Sequence, residues 1–269
     1  TLQMYRKTND SIFTVEITRG NVNIKSVDLA YMINDSVGYI KLDRFARNTY
    51  SEFKTSLNSL IKKGMTDLVL DLRGNPGGFM DIANQIVDEF LEDKKLIVFT
   101  KNKNGEVDRS FATNKGDFEN GKVYVLIDQN SASASEMTIN GLKPYLDVIQ
   151  IGDQTEGKDV GSNPFYDYID NNQTKNPNHK YLVLPITFKY YNSKGVGDYS
   201  EGLLPNVSLK ENLASLGELG DVEEPLLKKA LEYISGQTTG GISVDSRSIP
   251  ATFVEVQTEA ARAIYFPKN

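Results

Sequence analysis

Short apolar runs alternate with helical patterns through the first 150 residues of the chain, and this alternation constrains the fold most. Apolar runs with the length of buried strands occur at 38–42, 67–72, 96–100, 123–127 and 148–151. Apolar residues recur at helical spacing at 53–61, 82–90 and 133–142. Strands and helices that alternate in this way form βαβ units. The sequence therefore predicts an α/β fold with a mostly parallel sheet covered on both faces.

Three short polar segments follow predicted strands directly. The octapeptide DLRGNPGG occupies 71–78, SASASE occupies 131–136, and a Gly-Lys pair stands at 157–158. Ligands of such sheets collect at the carboxyl ends of the strands. We therefore expect these segments to lie close together and to contain the functional residues.

The residue types present exclude several kinds of site. The chain has one histidine, His179, and no cysteine. A thiol nucleophile is therefore impossible, zinc sites built from Cys and His are excluded, and a Ser-His-Asp arrangement has a single candidate imidazole. His179 follows a polar, Asn-rich segment and is predicted to lie in a solvated loop. If the protein is a hydrolase, lysine is the preferred candidate for the base.

The charge distribution argues against a nucleic-acid partner. The formal net charge is −6 and Lys and Arg do not form long blocks, whereas binding of phosphates needs clustered cations. No apolar run approaches the roughly 20 residues that span a bilayer. The chain begins with Thr and shows no signal-peptide pattern, so such a segment is absent or already removed. The lack of disulfides is compatible with the cytoplasm and with a bacterial envelope.

Each candidate residue also has a purely structural interpretation. Ser133 and Glu136 have the spacing of a capping box, as do Thr49 and Glu52. A serine at a helix N-terminus is nevertheless well placed as a nucleophile, because the free N–H groups there favour developing negative charge.

The lysine and the glycines likewise have ordinary explanations. Most lysines are solvated, and Lys158 can act as a base only if burial or a nearby cation keeps its amine neutral. Glu156 and Asp159 would oppose this if they pointed inward. The glycines at 77 and 78 could simply allow a tight turn, or they could let a main-chain N–H approach an oxyanion.

Taken together, the three segments resemble the C-terminal processing peptidases, or tail-specific proteases, which are serine peptidases with a Ser-Lys dyad. The family pattern is Asp-Leu-Arg-x-Asn-x-Gly-Gly, then Ser-Ala-Ser-Ala-x-Glu, then Gly-x-x-Thr-x-Gly-Lys. This chain has DLRGNPGG at 71–78, SASASE at 131–136 and GDQTEGK at 152–158. The resemblance implies a fold similar to the Clp protease and crotonase proteins, with additional β strands.

The resemblance also implies a role for each residue. Ser133 would be the nucleophile and Lys158 its general base, acting through an acyl-enzyme. The N–H of Ala134 and that of Gly77 or Gly78 would form the oxyanion hole, with the choice between the glycines left open. The implied activity is that of a serine endopeptidase cleaving polypeptides near exposed C-terminal segments, without cofactor or metal. The implied location is the bacterial periplasm or cell envelope.

Two features depart from the family pattern. Members commonly have Gly-Lys-Gly and a Gln four positions after the lysine that orients its amine, whereas this chain has Asp159 and Ser162. Ser162 is a weak candidate for the orienting group, and Asn163 is its rival. A PDZ domain usually precedes the catalytic core, but residues 1–19 resemble only its last strands. The expected organisation is a remnant at 1–25, a catalytic core at 26–235 and a linker with a tail at 236–269.

The remaining expectations concern the second half of the chain. We expect a strand at 181–188, a helix beginning near Pro225, and a further helix near 258–264. Tyr190 and Tyr191, near Gly195, could line a cleft, but they are interpreted as packing residues because aromatic residues of a strand usually pack. The oligomeric state is left open.

Three functions remain compatible with the sequence. The first is the Ser-Lys endopeptidase. The second is an inactive pseudo-peptidase that binds peptides, because the surroundings of Lys158 are altered. The third, a crotonase-like acyl-CoA enzyme, needs no serine nucleophile, so the complete serine and lysine motifs argue against it.

Overall fold

The computed structural model describes residues 1–18, 20, 24–179, 181–212 and 215–237. The four α-helices within them are α1 (Thr49–Lys62), α2 (Met80–Asp88), α3 (Ala134–Leu142) and α4 (Pro225–Ile234). The fourteen strands within them are β1 (Leu2–Arg6), β2 (Ser11–Val15), β3 (Val27–Met32), β4 (Val37–Leu42), β5 (Asp67–Asp71), β6 (Leu96–Asn102), β7 (Val107–Phe111), β8 (Lys122–Ile127), β9 (Val148–Gly152), β10 (Val160–Ser162), β11 (Phe165–Tyr166), β12 (Leu182–Val183), β13 (Ile186–Asn192) and β14 (Val207–Ser208).

A six-stranded sheet forms the centre of the molecule. Its strand order is β14-β9-β8-β5-β4-β3, and all neighbours are parallel except β3 and β4. Every residue of β4, β5 and β9 is buried, as expected for strands covered on both faces. The predicted α/β fold with a mostly parallel sheet is confirmed.

The two faces of the central sheet pack against different helices. In β5, Leu68 and Leu70 contribute to the larger core with α1, α2 and α3. Val69, between them, faces the opposite side and packs in a smaller core with Leu226 and Leu227 of α4. This alternation follows from the period of two along a strand. The helix predicted to begin near Pro225 therefore covers the second face.

A second sheet is antiparallel, with the order β10-β13-β6-β7. The strand predicted at 96–100 thus belongs to this sheet and does not continue the parallel one, because β6 pairs with β7 and β13. The single strand predicted at 181–188 is wrong in its bounds. It is divided into β12 and β13 at Pro185, which cannot donate a ladder hydrogen bond.

The amino-terminal strands β1 and β2 form a separate two-stranded sheet. The assignment of 1–25 to the remnant of another domain stays a prediction, as does the boundary after 235. The helix predicted near 258–264 lies outside the described residues. Within the described part of the chain, no helix is both long and apolar enough to cross a bilayer.

Candidate active site

The glycine-rich turn and the serine-rich turn lie side by side because β5 and β8 are parallel neighbours. Asn75, which is fully buried, connects them. Its side chain donates to the carbonyl oxygen of Leu42 (2.8 Å), and its own carbonyl oxygen accepts from the Ala132 N–H (3.0 Å). The two turns are therefore held in one rigid arrangement at the carboxyl edge of the sheet.

The three serines of the second turn have different surroundings. The Ser131 hydroxyl donates to the carbonyl oxygen of Leu72 (2.8 Å), and the Ser135 hydroxyl donates to that of Asn75 (3.0 Å). Both side chains are buried and serve to hold the turns together. Ser133 lies between them and is partly exposed. It is the serine of the three that a substrate can reach.

The backbone of Ser133 is strained. Its φ of 56° and ψ of −112° lie outside the regions that residues other than glycine favour. Ser133 is the N-cap residue of α3, and all nine residues of that helix are buried. Strain of this kind costs of order 1–3 kcal/mol and persists where the surrounding structure enforces it, often at functional sites.

The carboxylate of Glu136 joins the serine turn to the segment that carries Lys158. One oxygen accepts from the N–H of Ser133 (2.8 Å) and of Lys158 (2.8 Å). The other accepts from the Thr155 hydroxyl (2.6 Å) and the N–H of Gly157 (2.7 Å). A single buried side chain thus fixes the main chain on both sides of the predicted dyad.

Burial raises the pKa of Glu136, although its four hydrogen bonds act in the opposite direction.

Thr155 connects the segment after β9 to a further part of the chain, because its hydroxyl oxygen accepts from the N–H of Leu203 (2.6 Å). The segment after β9 is therefore held from two sides. Lys158 itself is partly buried.

The acidic residues on either side of Lys158 in the sequence have other surroundings. Asp159 is buried, and its carboxylate lies 3.3 Å from the Lys189 amine, which also contacts Asp198 at 3.3 Å. The side chain of Glu156 is exposed. The two acidic neighbours that could have stabilised a charged Lys158 are thus paired elsewhere or in solvent.

The Tyr190 hydroxyl donates to the main-chain carbonyl oxygen of Lys158. Ser162, the predicted orienting residue, lies in β10 opposite Ile186 of β13, and the N–H of Asn163 donates to the Thr187 hydroxyl (3.1 Å). In the part of the chain that the structure describes, neither Ser162 nor Asn163 has a hydrogen bond to Lys158. Their orienting role stays a prediction.

Gly77 lies directly against the nucleophile turn. A Cβ at this position would be 2.8 Å from both the Ala134 nitrogen and the Ser133 Cβ, and its φ of +95° favours glycine. Gly78 lies against the main chain of Phe45 instead, where a Cβ would collide with the carbonyl oxygen. Only glycine allows both approaches.

The two glycines differ in the use of their N–H groups. The Gly77 N–H donates to the Asn75 side-chain oxygen (2.9 Å). Among the described residues, the Gly78 N–H has no such acceptor, and Ala134 is the first residue of α3, whose N–H has no partner within the helix. These two N–H groups are the ones available to an oxyanion.

A buried ionic cluster forms around Arg73 of the glycine-rich turn. The Arg73 guanidinium contacts the carboxylates of Asp71 (2.6 Å), Glu211 (2.6 Å) and Glu224 (2.9 Å). Glu224 is the N-cap of α4 and accepts from the N–H of Leu227 (2.9 Å). The cluster connects α4 to the turn that carries the glycines.

The sequence interpretation missed two residues of this site. Glu136 was seen only as a helix cap and motif residue, although its position in the Ser-Ala-Ser-Ala-x-Glu pattern was a usable signal. For Tyr190 the sequence favours a packing role, because aromatic residues are common in strands. His179 lies in an exposed loop, as predicted, with its Nδ1 3.2 Å from Asp167. No set of three or more metal-ligating side chains is present among the described residues.

The comparisons with known proteins identify the family of the chain. A family model, Peptidase family S41, matches residues 36–208. The chain is 34% identical over 151 residues to a carboxyl-terminal-processing protease of Picosynechococcus sp., covering 55% of this chain and 36% of the relative. It is 31% identical over 219 residues to a carboxy-terminal-processing protease of Bartonella bacilliformis, covering 79% of this chain and 47% of the relative.

Solved structures give the same result. The fold superimposes on the crystal structure of a putative S41 protease from Bacteroides fragilis with a TM-score of 0.70 and 25% identity, covering 88% of this chain and 66% of the other. The chain spans from about a third to half of the length of the two curated relatives described above. The family model matches more than half of the chain, which therefore belongs to peptidase family S41.

Proposed function

We propose that the chain carries the catalytic machinery of a serine endopeptidase in which Ser133 is the nucleophile and Lys158 is the general base. The observation that carries the proposal is the Glu136 carboxylate, which binds the N–H of Ser133 and of Lys158 at the same time, 2.8 Å from each. This arrangement fixes the two main-chain positions relative to each other. The strained backbone of Ser133 adds support, because strain is retained where function requires a particular geometry.

In the first step, the Ser133 hydroxyl attacks a peptide carbonyl carbon and gives its proton to the neutral Lys158 amine. The new C–O bond produces a tetrahedral intermediate whose negative oxygen accepts from the N–H groups of Ala134 and Gly78. Collapse of the intermediate breaks the C–N bond, and the Lys158 ammonium protonates the leaving amine. An acyl ester on Ser133 remains.

In the second step, Lys158 removes a proton from water, which attacks the ester carbonyl. The same N–H groups stabilise the second tetrahedral intermediate, and the returned proton releases the Ser133 hydroxyl. Preorganised donors of this kind contribute roughly 10²–10³-fold to the rate each. The turn glycines and α3 provide them without any movement of the main chain.

The names of the relatives support the substrate class. Carboxyl-terminal-processing proteases act on polypeptides, and we extend this to cleavage near exposed C-terminal segments by the present chain. We place the activity in the bacterial periplasm or cell envelope, on family resemblance. No cofactor takes part in the proposed steps.

The test is cleavage of unfolded casein by the chain and by Ser133→Ala and Lys158→Ala, with Lys210→Ala as a control. Lys210 is exposed and pairs only with Asp153 at 3.6 Å among the described contacts. We expect cleavage by the unaltered chain and by Lys210→Ala, and loss of cleavage in the two site variants. Unchanged cleavage by Ser133→Ala would refute the proposed nucleophile.

Two alternatives have their own outcomes. Binding of casein without cleavage by any form would favour the peptide-binding pseudo-peptidase. Hydrolysis of an acyl-CoA thioester that persists in Ser133→Ala would favour the crotonase-like enzyme. The pairing of Asp159 with Lys189 removes one reason for inactivity, because that carboxylate is occupied by another cation.

A further inference from the structure

The antiparallel sheet brings one tyrosine of β13 to the active site. Tyr190 is buried, and its hydroxyl donates to the main-chain carbonyl oxygen of Lys158. Its own N–H donates to the carbonyl oxygen of Asp159 (3.2 Å), so β13 holds the lysine segment by side chain and main chain together. The Ser133 and Tyr199 side chains lie near the Tyr190 hydroxyl, and both lower its pKa against the larger effect of burial.

The single Tyr190 proton is committed to the Lys158 carbonyl oxygen, so the phenol cannot also donate to the Ser133 side chain. Burial raises the pKa of Tyr190 well above its ordinary range, which keeps the group a neutral phenol. It therefore cannot compete with Lys158 as a base. Its contacts suit a residue that fixes the positions of the two reacting groups.

Tyr190 is itself held rigidly. Its ring packs against the ring of Tyr199, with centroids 6.2 Å apart, and its Cα pairs with that of Thr100 on the neighbouring strand β6. The Tyr199 hydroxyl is buried and has no hydrogen bond of good geometry in the described structure. The Tyr190 ring is thus fixed by packing and by the strand, with its hydroxyl directed at the Lys158 carbonyl oxygen.

We propose that Tyr190 is a positioning residue of this site, whose hydroxyl holds the main chain of Lys158 beside the Ser133 side chain before substrate binds. The inference rests on the proposed function. Loss of the hydroxyl leaves the Lys158 carbonyl oxygen without this partner. The reacting groups then spend less time in the productive geometry, while the shape of the cleft is unchanged.

Tyr191 supplies a matched control. It is the next residue of the same strand and faces the other side, where its ring stacks on Phe99 at 5.2 Å. A Tyr-to-Phe change removes one hydroxyl at either position and keeps the ring. Only the change at 190 touches the proposed dyad.

The experiment measures covalent inactivation by a small fluorophosphonate probe, which reacts with an activated serine without requiring capture of a protein substrate. The unaltered chain, Ser133→Ala, Tyr190→Phe and Tyr191→Phe are compared for maximal inactivation rate, half-saturating probe concentration and thermal midpoint. Removing one partner of a buried hydrogen bond predicts a roughly 10–100-fold fall in the maximal rate of Tyr190→Phe. We expect its half-saturating concentration to match that of Tyr191→Phe and its thermal midpoint to fall by a few degrees, because the Lys158 carbonyl oxygen loses its partner.

Equal maximal rates in Tyr190→Phe and Tyr191→Phe would overturn the inference and leave the proposed function intact. A fall in rate that is matched by weaker probe binding would also overturn it, because the hydroxyl would then act on the shape of the cleft and not on the reacting groups. Probe reaction that does not depend on Ser133 would remove the proposed function, and the role of Tyr190 with it.

Discussion

Glu136 and Lys158 are joined by a hydrogen bond of 2.8 Å from the main-chain N–H of the lysine to the carboxylate. The same oxygen accepts from Ser133, and the second oxygen accepts from Thr155 and Gly157. The relative position of the two predicted catalytic residues therefore depends on a side chain that is not expected to react.

Replacement of Glu136 by Gln should lower both stability and activity. The amide keeps the shape of the side chain but turns one acceptor oxygen into a donor, so two of the four donors lose their partner. Each buried donor left unpaired costs about 1–3 kcal/mol. Urea denaturation and casein cleavage measure the two effects, with the exposed Glu156→Gln as control. Equal stability and activity in the two variants would show that the carboxylate is dispensable.

A methyl group at Gly77 should abolish most of the activity. The added Cβ would meet the Ala134 nitrogen and the Ser133 Cβ at 2.8 Å, which displaces the nucleophile turn. We expect a loss of cleavage of roughly 10²-fold or more, comparable with loss of an oxyanion donor. Gly74→Ala is the control, because that residue also has a positive φ (+67°) but open space around it. Similar cleavage rates for the two variants would contradict the proposed contact.

Removal of the Arg73 cation should destabilise the fold. Arg73→Met leaves the buried carboxylates of Asp71 and Glu224 without their common partner. Breaking a buried ion pair in this way costs about 3–5 kcal/mol. Lys228→Met, which removes an exposed pair with Glu223, should leave the free energy of unfolding nearly unchanged. If Arg73→Met loses no more free energy of unfolding than Lys228→Met, the structural role of the cluster is refuted.

Glu52 should contribute a pH-dependent part of the stability. Burial alone would raise its pKa, but hydrogen bonds from the N–H groups of Ser26 and Val27 and from Asn48 outweigh it and lower the pKa below 4.5. A depressed folded-state pKa stabilises the fold above the ordinary value, and this contribution is lost as pH falls through the folded-state pKa. The stability advantage over Glu52→Gln should thus be largest near neutrality and shrink below about pH 4.5.

The unfolding free energies of the unaltered chain and Glu52→Gln are to be compared at several pH values. The exposed Glu201→Gln serves as control for general effects of acid. A difference between the unaltered chain and Glu52→Gln that stays constant from pH 7 to pH 3 would contradict the assigned shift.

The central sheet and the three segments of the proposed site were predictable because their signals are local. A fully apolar run such as 123–127 indicates a buried strand, and the turns after β5 and β8 lie at the edge of a parallel sheet where ligands bind. Once the strands are adjacent, Gly77 and Ser133 must approach each other. No knowledge of distant residues is needed for this step.

The Ser/Thr-x-x-Glu spacing alone did not predict which pair forms a capping box. Ser133 with Glu136 and Thr49 with Glu52 have the same separation, yet only the first pair has the N-cap to N3 contact, through the Ser133 N–H. Thr49 is instead the first residue of α1, and the Glu52 carboxylate binds the main chain of Ser26 at 2.8 Å. The predicted capping box at Thr49 is therefore wrong, because the Glu52 carboxylate binds the main chain of Ser26, just before β3, instead.

Long-range contacts account for the rest. Tyr190 meets the lysine segment 32 positions earlier, and Arg73 meets Glu224 across 151 positions. Such pairs depend on how the second sheet and α4 pack on the first sheet. Aromatic residues in a strand are ordinary packing material, so the sequence offered no reason to select Tyr190 over Tyr191.

The most direct test of the central claim is a crystal structure of the chain after reaction with a fluorophosphonate. The account predicts phosphorus bonded to Ser133 Oγ, with the phosphoryl oxygen about 2.7–3.1 Å from the N–H groups of Ala134 and Gly78. It also predicts the Lys158 amine on the same side of the cleft, facing the phosphonylated oxygen. An adduct on another serine, or a Lys158 amine turned outward into solvent, would contradict the proposed dyad.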